Sequence, residues 1–179
     1  MTKGVNGVVT DELLVRQARA GDCDAFVQFA SRWWPMIGRI AWSMLGNTAQ
    51  AAVVTEEVLE IVLRSPRPSD APVGLSMYRL AIWLAIVRRR SSRPRLAPES
   101  RVLEALDGVH CMDRAAFVLR EIADVPIEDV AAILETSAQE IRHQVHRVCL
   151  VLTCLLGDAA DQRASDLRRL GTSSNPSAS

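Results

Sequence analysis

The chain has 179 residues, of which 49% are hydrophobic, and this allows either one packed domain or two small ones. Its formal net charge is zero, which argues against a uniformly basic protein that coats nucleic acid without specificity. Only 4% of the residues are aromatic and no alternating β-branched run is present, so the sequence predicts an all-α fold.

Capping and breaking residues divide the first half of the chain into four helices. Thr10 can cap the first helix, and Gly46 followed by Asn47 ends the second, which we expect to kink or break at Pro35. Three prolines in residues 65–73 predict a loop before the fourth helix. The four predicted helices span about 11–19, 23–45, 50–64 and 74–90.

A cationic block ends the fourth helix. It contains no acidic residue and consists of Arg88, Arg89, Arg90, Arg93 and Arg95. Arginine forks suit phosphate oxygens, so one interpretation is a contact with a nucleic-acid backbone. The other is a solvated helix end, since cations also stabilise the negative end of a helix dipole.

After a linker over residues 92–98, the second half of the chain predicts further short helices. They span about 99–109, 113–123, 127–134 and 138–156, and a last helical segment is expected near 159–170. The helices predicted over about 127–134 and 138–156 are separated by a tight turn at Glu135 and Thr136. Two helices with this short separation are typical of a helix-turn-helix motif.

The helix that begins at about Ala138 carries two different faces. Ser137 and Glu140 form a capping box, in which the serine oxygen accepts from the first turn and the glutamate reaches back to the serine N–H. A buried stripe is predicted from Ile141, Val145, Val148, Leu152 and Leu155. On the opposite side an arc of roughly 140° carries a basic ridge, formed by Arg142, His143, His146 and Arg147. Such a ridge suits a DNA major groove, although a helical pair of this kind also occurs in proteins that bind no DNA.

Three segments resemble bacterial RNA polymerase sigma factors of the extracytoplasmic-function (ECF) group. The first is residues 113–147, DRAAFVLREIADVPIEDVAAILETSAQEIRHQVHR, which resemble the family's promoter-reading domain. The matching residues there are Arg114, Phe117, Leu119, Arg120, Ala131, Leu134, Ser137, His146 and Arg147. Residues 11–47 are similar to the family's opening pattern and residues 77–90, MYRLAIWLAIVRRR, to its promoter-melting helix. The resemblance covers roughly residues 11–157.

The resemblance implies two small helical domains that act by binding, not by catalysis. Residues 11–91 would form a four-helix sigma region 2-like domain that binds polymerase core and the minus-ten element. Residues 99–157 would form a sigma region 4-like helix-turn-helix domain that reads the minus-thirty-five element. Residues 1–10 are expected to be a flexible N-terminus and residues 158–179 a helix followed by a disordered tail. The implied partners are RNA polymerase core, promoter DNA and an anti-sigma factor.

Carried over by position, the resemblance also assigns site residues. The DNA-binding residues would be Arg142, His143, Gln144, His146, Arg147, Arg79, Arg88, Arg89 and Arg90. Of these, Arg142 would contact a guanine, because its fork matches O6 and N7. The polymerase-binding residues would be Val54, Glu56, Glu57 and Leu59.

The sequence departs from the family pattern on the third and fourth helices. The usual asparagine and aspartate of the fourth helix are replaced by Trp83 and Val87, and the aromatic residue usual just before that helix is missing. Stacking on an unpaired base would then depend on Trp83 or Tyr78. A second hypothesis is therefore a degenerate sigma-like regulator or interaction protein that has lost promoter melting.

Neither an enzyme nor a cofactor is expected. No nucleophile and base, paired carboxylates or glycine-rich phosphate loop stands at a suggestive spacing. Four cysteines without a C-x-x-C pair predict reduced, mostly buried thiols, and His143, His146 and Cys149 fan apart by about 60° per step, which disfavours a metal site. The N-terminus lacks an apolar signal core, so we expect a cytoplasmic protein without membrane insertion.

Overall fold

A computed structural model describes residues 10–65, 71–91 and 101–172 of the chain. Within these ranges the secondary structure is helical and contains no strand, as predicted. The helices are α1 (Asp11–Arg19), α2 (Cys23–Leu45), α3 (Thr48–Arg64), α4 (Val73–Ser91), α5 (Arg101–Asp107), α6 (Cys111–Phe117), α7 (Ile127–Ile133) and α8 (Ala138–Thr172). The expected linker, the first nine residues and the last seven lie outside the described residues, as does the remainder of the proline-rich loop.

Local capping accounts for the helix boundaries of the first half. The Thr10 hydroxyl accepts from the N–H of Leu13, and Gly46 ends α2 in the left-handed conformation at φ 58°, where a residue without Cβ is unstrained. The predicted break at Pro35 is wrong, since α2 continues through it. Asn47 caps α3, which therefore begins two residues earlier than expected.

The second half contains the predicted helix-turn-helix, formed by α7, a turn and α8. Glu135 adopts a left-handed φ of 54° in that turn. Before α7, the chain leaves α6 through a π-helical turn, Val118–Ile122, so the helix expected over residues 113–123 is not regular throughout. The separate terminal helix is also wrong, because α8 runs without interruption through Gly157. One glycine costs a helix only about 1 kcal/mol.

The two halves pack against one another. In the first half α2 lies at the centre and packs against α1, α3 and α4, while in the second half α8 packs against α5, α6 and α7. The halves meet where α2 contacts the π-helical turn and α4 contacts α7. Buried residues of both halves consequently form one apolar cluster, which includes Phe29, Ile40, Val58, Met77, Leu119 and Ile141. Through this cluster α8 and α4 belong to the same packed core.

Most of the cysteine side chains lie at the surface. The thiols of Cys23, Cys149 and Cys154 are exposed, and only Cys111 is partly covered, so the prediction of mostly buried cysteines is wrong. None of the described helices has the length and apolar character required to span a bilayer. In the same part of the chain no three His, Cys, Asp or Glu side chains are grouped as metal ligands would be.

Candidate nucleic-acid interface

The first turns of α8 present a ridge of donors to solvent. The Ser137 hydroxyl accepts from the N–H of Glu140 at 3.1 Å and so caps the helix. Ile141 and Val148 are fully buried and anchor one side of α8 in the core. All four residues of the basic ridge are exposed on the other side, as the apolar periodicity predicted.

Gln144 does not belong to this exposed surface. It is only 8% exposed, and its amide oxygen has no hydrogen-bond partner among the described residues. The reason is helical geometry: Gln144 lies about 60° from Ile141, on the buried side of the helix. The expectation that Gln144 faces base edges is therefore wrong in this structure.

Arg147 is exposed, but its guanidinium already has partners. Nε and Nη2 donate to the two carboxylate oxygens of Asp113, both at 2.9 Å, and Nη2 also donates to Glu140 at 3.1 Å. The hydrogen bonds that Arg147 donates to Asp113, and to a smaller extent the one to Glu140, raise the pKa of its guanidinium. The Glu140 carboxylate thus binds Arg147, whereas the capping box predicted a bond to the serine N–H. Arg147 ties α8 to α6, which leaves Arg142, His143 and His146 as the outward donors.

Arg79 and Arg39 of the first half donate to backbone carbonyls of the second. Arg79 on α4 donates to the carbonyl of Ala132 at 2.7 Å and lies 3.7 Å from the Glu135 carboxylate. Arg39 on α2 donates to the carbonyl of Ile122 at 3.0 Å. These groups hold the helix-turn-helix against the first half, so Arg79 is not the free phosphate contact that the sequence predicted.

The cationic block at the end of α4 is also largely occupied. Arg88 pairs with Glu57 at 2.6 Å, and Arg89 pairs with Asp107 at 2.9 Å. Arg90 is exposed. Of the three described arginines in this block, Arg90 is therefore the most exposed.

Arg114 joins the halves from inside the core. Its side chain is 0% exposed, its Nε donates to the carbonyl of Ser43 at 2.8 Å, and its Nη1 donates to Asp107 at 2.8 Å. Asp107 thus lies between Arg114 and Arg89. Burial raises the pKa of Asp107, but hydrogen bonds from Arg114 and Arg89 outweigh this effect and hold its pKa below the usual range.

The depressed pKa of Asp107 predicts a pH-dependent contribution to stability. A carboxyl with a lower pKa in the folded state contributes stability above its unfolded pKa, and this is lost as the pH falls through the folded value. We expect Asp107→Asn to lower the free energy of unfolding at pH 7, and the difference from the parent chain to shrink below about pH 4. Urea unfolding at pH 7, 4 and 3 measures this, and a constant difference would contradict it.

Comparison with known proteins addresses the fold. No protein-family model matches the sequence, and no curated protein does. Among solved structures, CnrH in complex with the cytosolic domain of CnrY is 21% identical, with 83% of this chain and 97% of that chain covered at a TM-score of 0.70. The sigma factor RpoE in complex with the anti-sigma factor NepR from Bartonella quintana is 17% identical. That match covers 74% of this chain and 96% of the RpoE chain at a TM-score of 0.60. Both CnrH and RpoE are ECF sigma factors. The chain has the fold of an ECF sigma factor.

In this sigma-factor fold, the residues expected to face polymerase divide into two groups. Val54 is 0% exposed and Leu59 is 5% exposed, so the expectation that they form a protein-binding surface is wrong. Both lie on the side of α3 that packs into the core. Glu56 is exposed, and Glu57 is half-buried in its ion pair with Arg88.

An exposed aromatic surface beside α3 was missed by the sequence reasoning. Phe26 and Trp34 on α2 are 43% and 41% exposed, and they line a cleft of about 380 Å³ together with Glu56 and the edge of Leu59. Their spacing of eight residues is a helical repeat, which could have indicated a shared face. Exposed aromatic side chains around a cleft are typical of protein-binding surfaces.

Proposed function

We propose that this chain is an ECF-type sigma factor, which binds RNA polymerase core and directs promoter-specific initiation of transcription. The observation that carries the proposal is the exposed group Arg142, His143 and His146 on the second helix of a helix-turn-helix. The similarity of fold to two ECF sigma factors supports it.

The helix-turn-helix would read the minus-thirty-five element as duplex. Arg142 supplies a planar fork that matches O6 and N7 of a guanine in the major groove. His143 lies on the same exposed side of α8, and His146 lies one turn further along the helix. In this proposal His146 contacts the DNA backbone, which positions the helix without reading sequence. In this proposal Arg147 positions the helix through Asp113.

The first half would bind polymerase and the minus-ten element. The polymerase contact would use Glu56 with the aromatic surface of Phe26 and Trp34, and Arg90 would lie on promoter phosphates. Arg79 and Arg89 would reach DNA only after they release Ala132 and Asp107, that is, after the halves separate.

An anti-sigma factor is the proposed regulator. RpoE is bound to the anti-sigma factor NepR, and CnrH is bound to the cytosolic domain of CnrY. A partner that prefers the packed arrangement of the halves would keep Arg79 and Arg89 on their intramolecular partners, because a ligand shifts a conformational equilibrium toward the state that it binds better.

Run-off transcription with purified polymerase core tests the proposed function. On a pool of promoter fragments we expect transcripts that start at defined sites with the chain present and are missing with core alone. Fragment binding should weaken steeply as salt rises, since each neutralised phosphate releases counterions. The matched control is the chain with Arg142→Ala, which should still associate with core. If no chain-dependent transcript forms and the chain does not associate with core, the proposal fails.

The second hypothesis, a sigma-like regulator without promoter melting, is favoured by one observation. Arg79 and Arg89 are bonded within the chain and are not available to DNA in this arrangement. Duplex binding and core binding without any run-off product would support this hypothesis over the first.

A further inference from the structure

A cavity of about 830 Å³ lies between the two halves of the chain. Its walls come from α1, α3 and α4 of the first half and from Ala132 and Ile133 on α7 of the second. Small-molecule sites in proteins commonly have a volume of about 300–1,000 Å³ and often lie where two structural units meet. The size and the position of this cavity are therefore those of a ligand site.

The described lining of the cavity is mostly aliphatic and contains no aromatic ring. Ile61 on α3 is 37% exposed, so part of this apolar surface is accessible. Covering aliphatic surface is favourable, and without a ring to stack on, the lining matches an alkyl chain better than an aromatic ligand. The apolar lining includes Val15, Ile61, Val62, Leu75, Leu80 and Ile133.

The charged side chains of the cavity are mostly cationic, namely Arg16, Arg19 and Arg79 against Glu12. Arg19 and Arg79 donate to backbone carbonyls of α3 and α7, and Arg79 also lies 3.7 Å from Glu135. Glu12 accepts from the first backbone N–H of α4. Arg16 is exposed, and within the described part of the chain its guanidinium makes no hydrogen bond or ion pair. The cavity thus combines an aliphatic surface with a cation that is available to a ligand.

We propose that this cavity binds a medium-chain carboxylate, with Arg16 on the carboxylate and the alkyl chain against the aliphatic lining. A guanidinium fork matches a carboxylate in a bidentate pair. Arg19 lies one turn further along α1, and a guanidinium with one N–H bonded to a carbonyl keeps others for a second carboxylate contact. A neutral head group forms no ion pair with Arg16, so the negative charge is what selects the ligand.

The same ligand favours the packed arrangement of the halves. Arg16 and Ile61 belong to the first half and Ile133 to the second, so the complete cavity exists only while the halves are packed. A ligand shifts a conformational equilibrium toward the state that it binds better. The proposed function requires the halves to separate before Arg79 and Arg89 reach DNA. The carboxylate is therefore an inhibitor of initiation, and this consequence rests on the proposed function.

Titration calorimetry of the purified full-length chain with sodium octanoate, below its micellar concentration, tests the site. We expect saturable binding of one octanoate per chain, whereas 1-octanol, which has the same alkyl chain and no charge, should bind roughly tenfold more weakly. Arg16→Gln removes one exposed charge and should weaken octanoate binding by about tenfold. The matched control is Arg64→Gln, because Arg64 is an exposed arginine that lines the separate cleft of Phe26 and Trp34. This control should bind octanoate as the parent does.

A second variant tests the aliphatic wall. Ile61→Asp removes apolar surface and places a negative charge in the cavity, so octanoate binding should be lost. Because Ile61 is 37% exposed, we expect this variant to fold, and circular dichroism checks that it does. Octanoate binding at parental affinity by folded Ile61→Asp would place the ligand elsewhere and overturn the inference.

The remaining outcomes separate this inference from the proposed function. A chain that shows no saturable octanoate binding overturns the inference. Equal affinity for octanoate and 1-octanol, or equal losses in Arg16→Gln and Arg64→Gln, also overturns it, because binding would then be apolar adsorption. In run-off transcription, octanoate should reduce the product of the parent chain but not that of Arg16→Gln. An unchanged parental product at saturating octanoate overturns the inhibitory role. The titration needs no polymerase, so a chain that binds octanoate but does not support transcription contradicts the proposed function alone.

Discussion

Replacing Arg114 with alanine is expected to destabilise the folded chain by about 3 kcal/mol, since it removes a fully buried guanidinium and its hydrogen bonds to the Ser43 carbonyl and to the partly exposed Asp107 carboxylate. The guanidinium is fully buried and donates to Ser43 and to Asp107. Without it the Ser43 carbonyl loses its two guanidinium donors, and the space left by the side chain lies inside the core. Since domains are stable by only about 5–15 kcal/mol, this is a large share of the total.

Chemical denaturation followed by circular dichroism measures the effect of Arg114→Ala. The matched control is Arg120→Ala, because Arg120 is a partly exposed arginine of the same region, whose ion pair with Asp124 is 3.4 Å long and solvent-accessible. A surface pair of this kind contributes less than about 1 kcal/mol. Equal losses in the two variants would show that Arg114 does not join the halves in the way described.

The second large effect is expected at the proposed DNA interface. Arg142→Ala should weaken binding to the preferred duplex by about 1–3 kcal/mol and relax base preference at one position, because the proposed forked contact to guanine would be lost. Binding to random duplex should change little. Competition between specific and random fragments at one fixed salt concentration measures both quantities.

Arg142→Lys provides the control for this variant. Lysine keeps the positive charge but has no planar fork, so nonspecific affinity should be retained while discrimination at the same base pair falls. If Arg142→Ala weakens specific and random duplex equally, Arg142 is a phosphate contact and a different residue of the basic ridge reads the base.

Much of the candidate site could be predicted because it depends on residues close together in the chain. The cap at Ser137 lies three residues from the N–H that it binds, and the burial of Ile141 and Val148 follows from a repeat within one helix. The exposure of Arg142 and His143 then follows, since they occupy the opposite face of the same helix.

The wrong predictions have two causes. Either the contact that decides whether a side chain is buried comes from a distant part of the chain, or the exposed face of a helix was inferred from the family resemblance alone. The family resemblance predicts Val54 and Leu59 on a protein-binding surface, yet the packing of α3 against α2 and α4 buries both side chains. Gln144 was assigned with its neighbours although it lies on the covered side of α8. The partner of an arginine side chain is equally hard to predict from sequence, because a guanidinium donates to a phosphate, a carboxylate or a carbonyl alike.

The sequence by itself determined the helical class, most helix boundaries and the two faces of the first turns of α8, since capping and periodicity are local; the predicted buried stripe does not extend to Leu155, which is 46% exposed. Only the tertiary structure decided how the halves meet. Arg114 and Ser43 are separated by 71 residues, and Arg39 and Ile122 by 83. Pairs so distant in the chain meet only after the helices have packed, because no local rule specifies which carbonyl a guanidinium reaches.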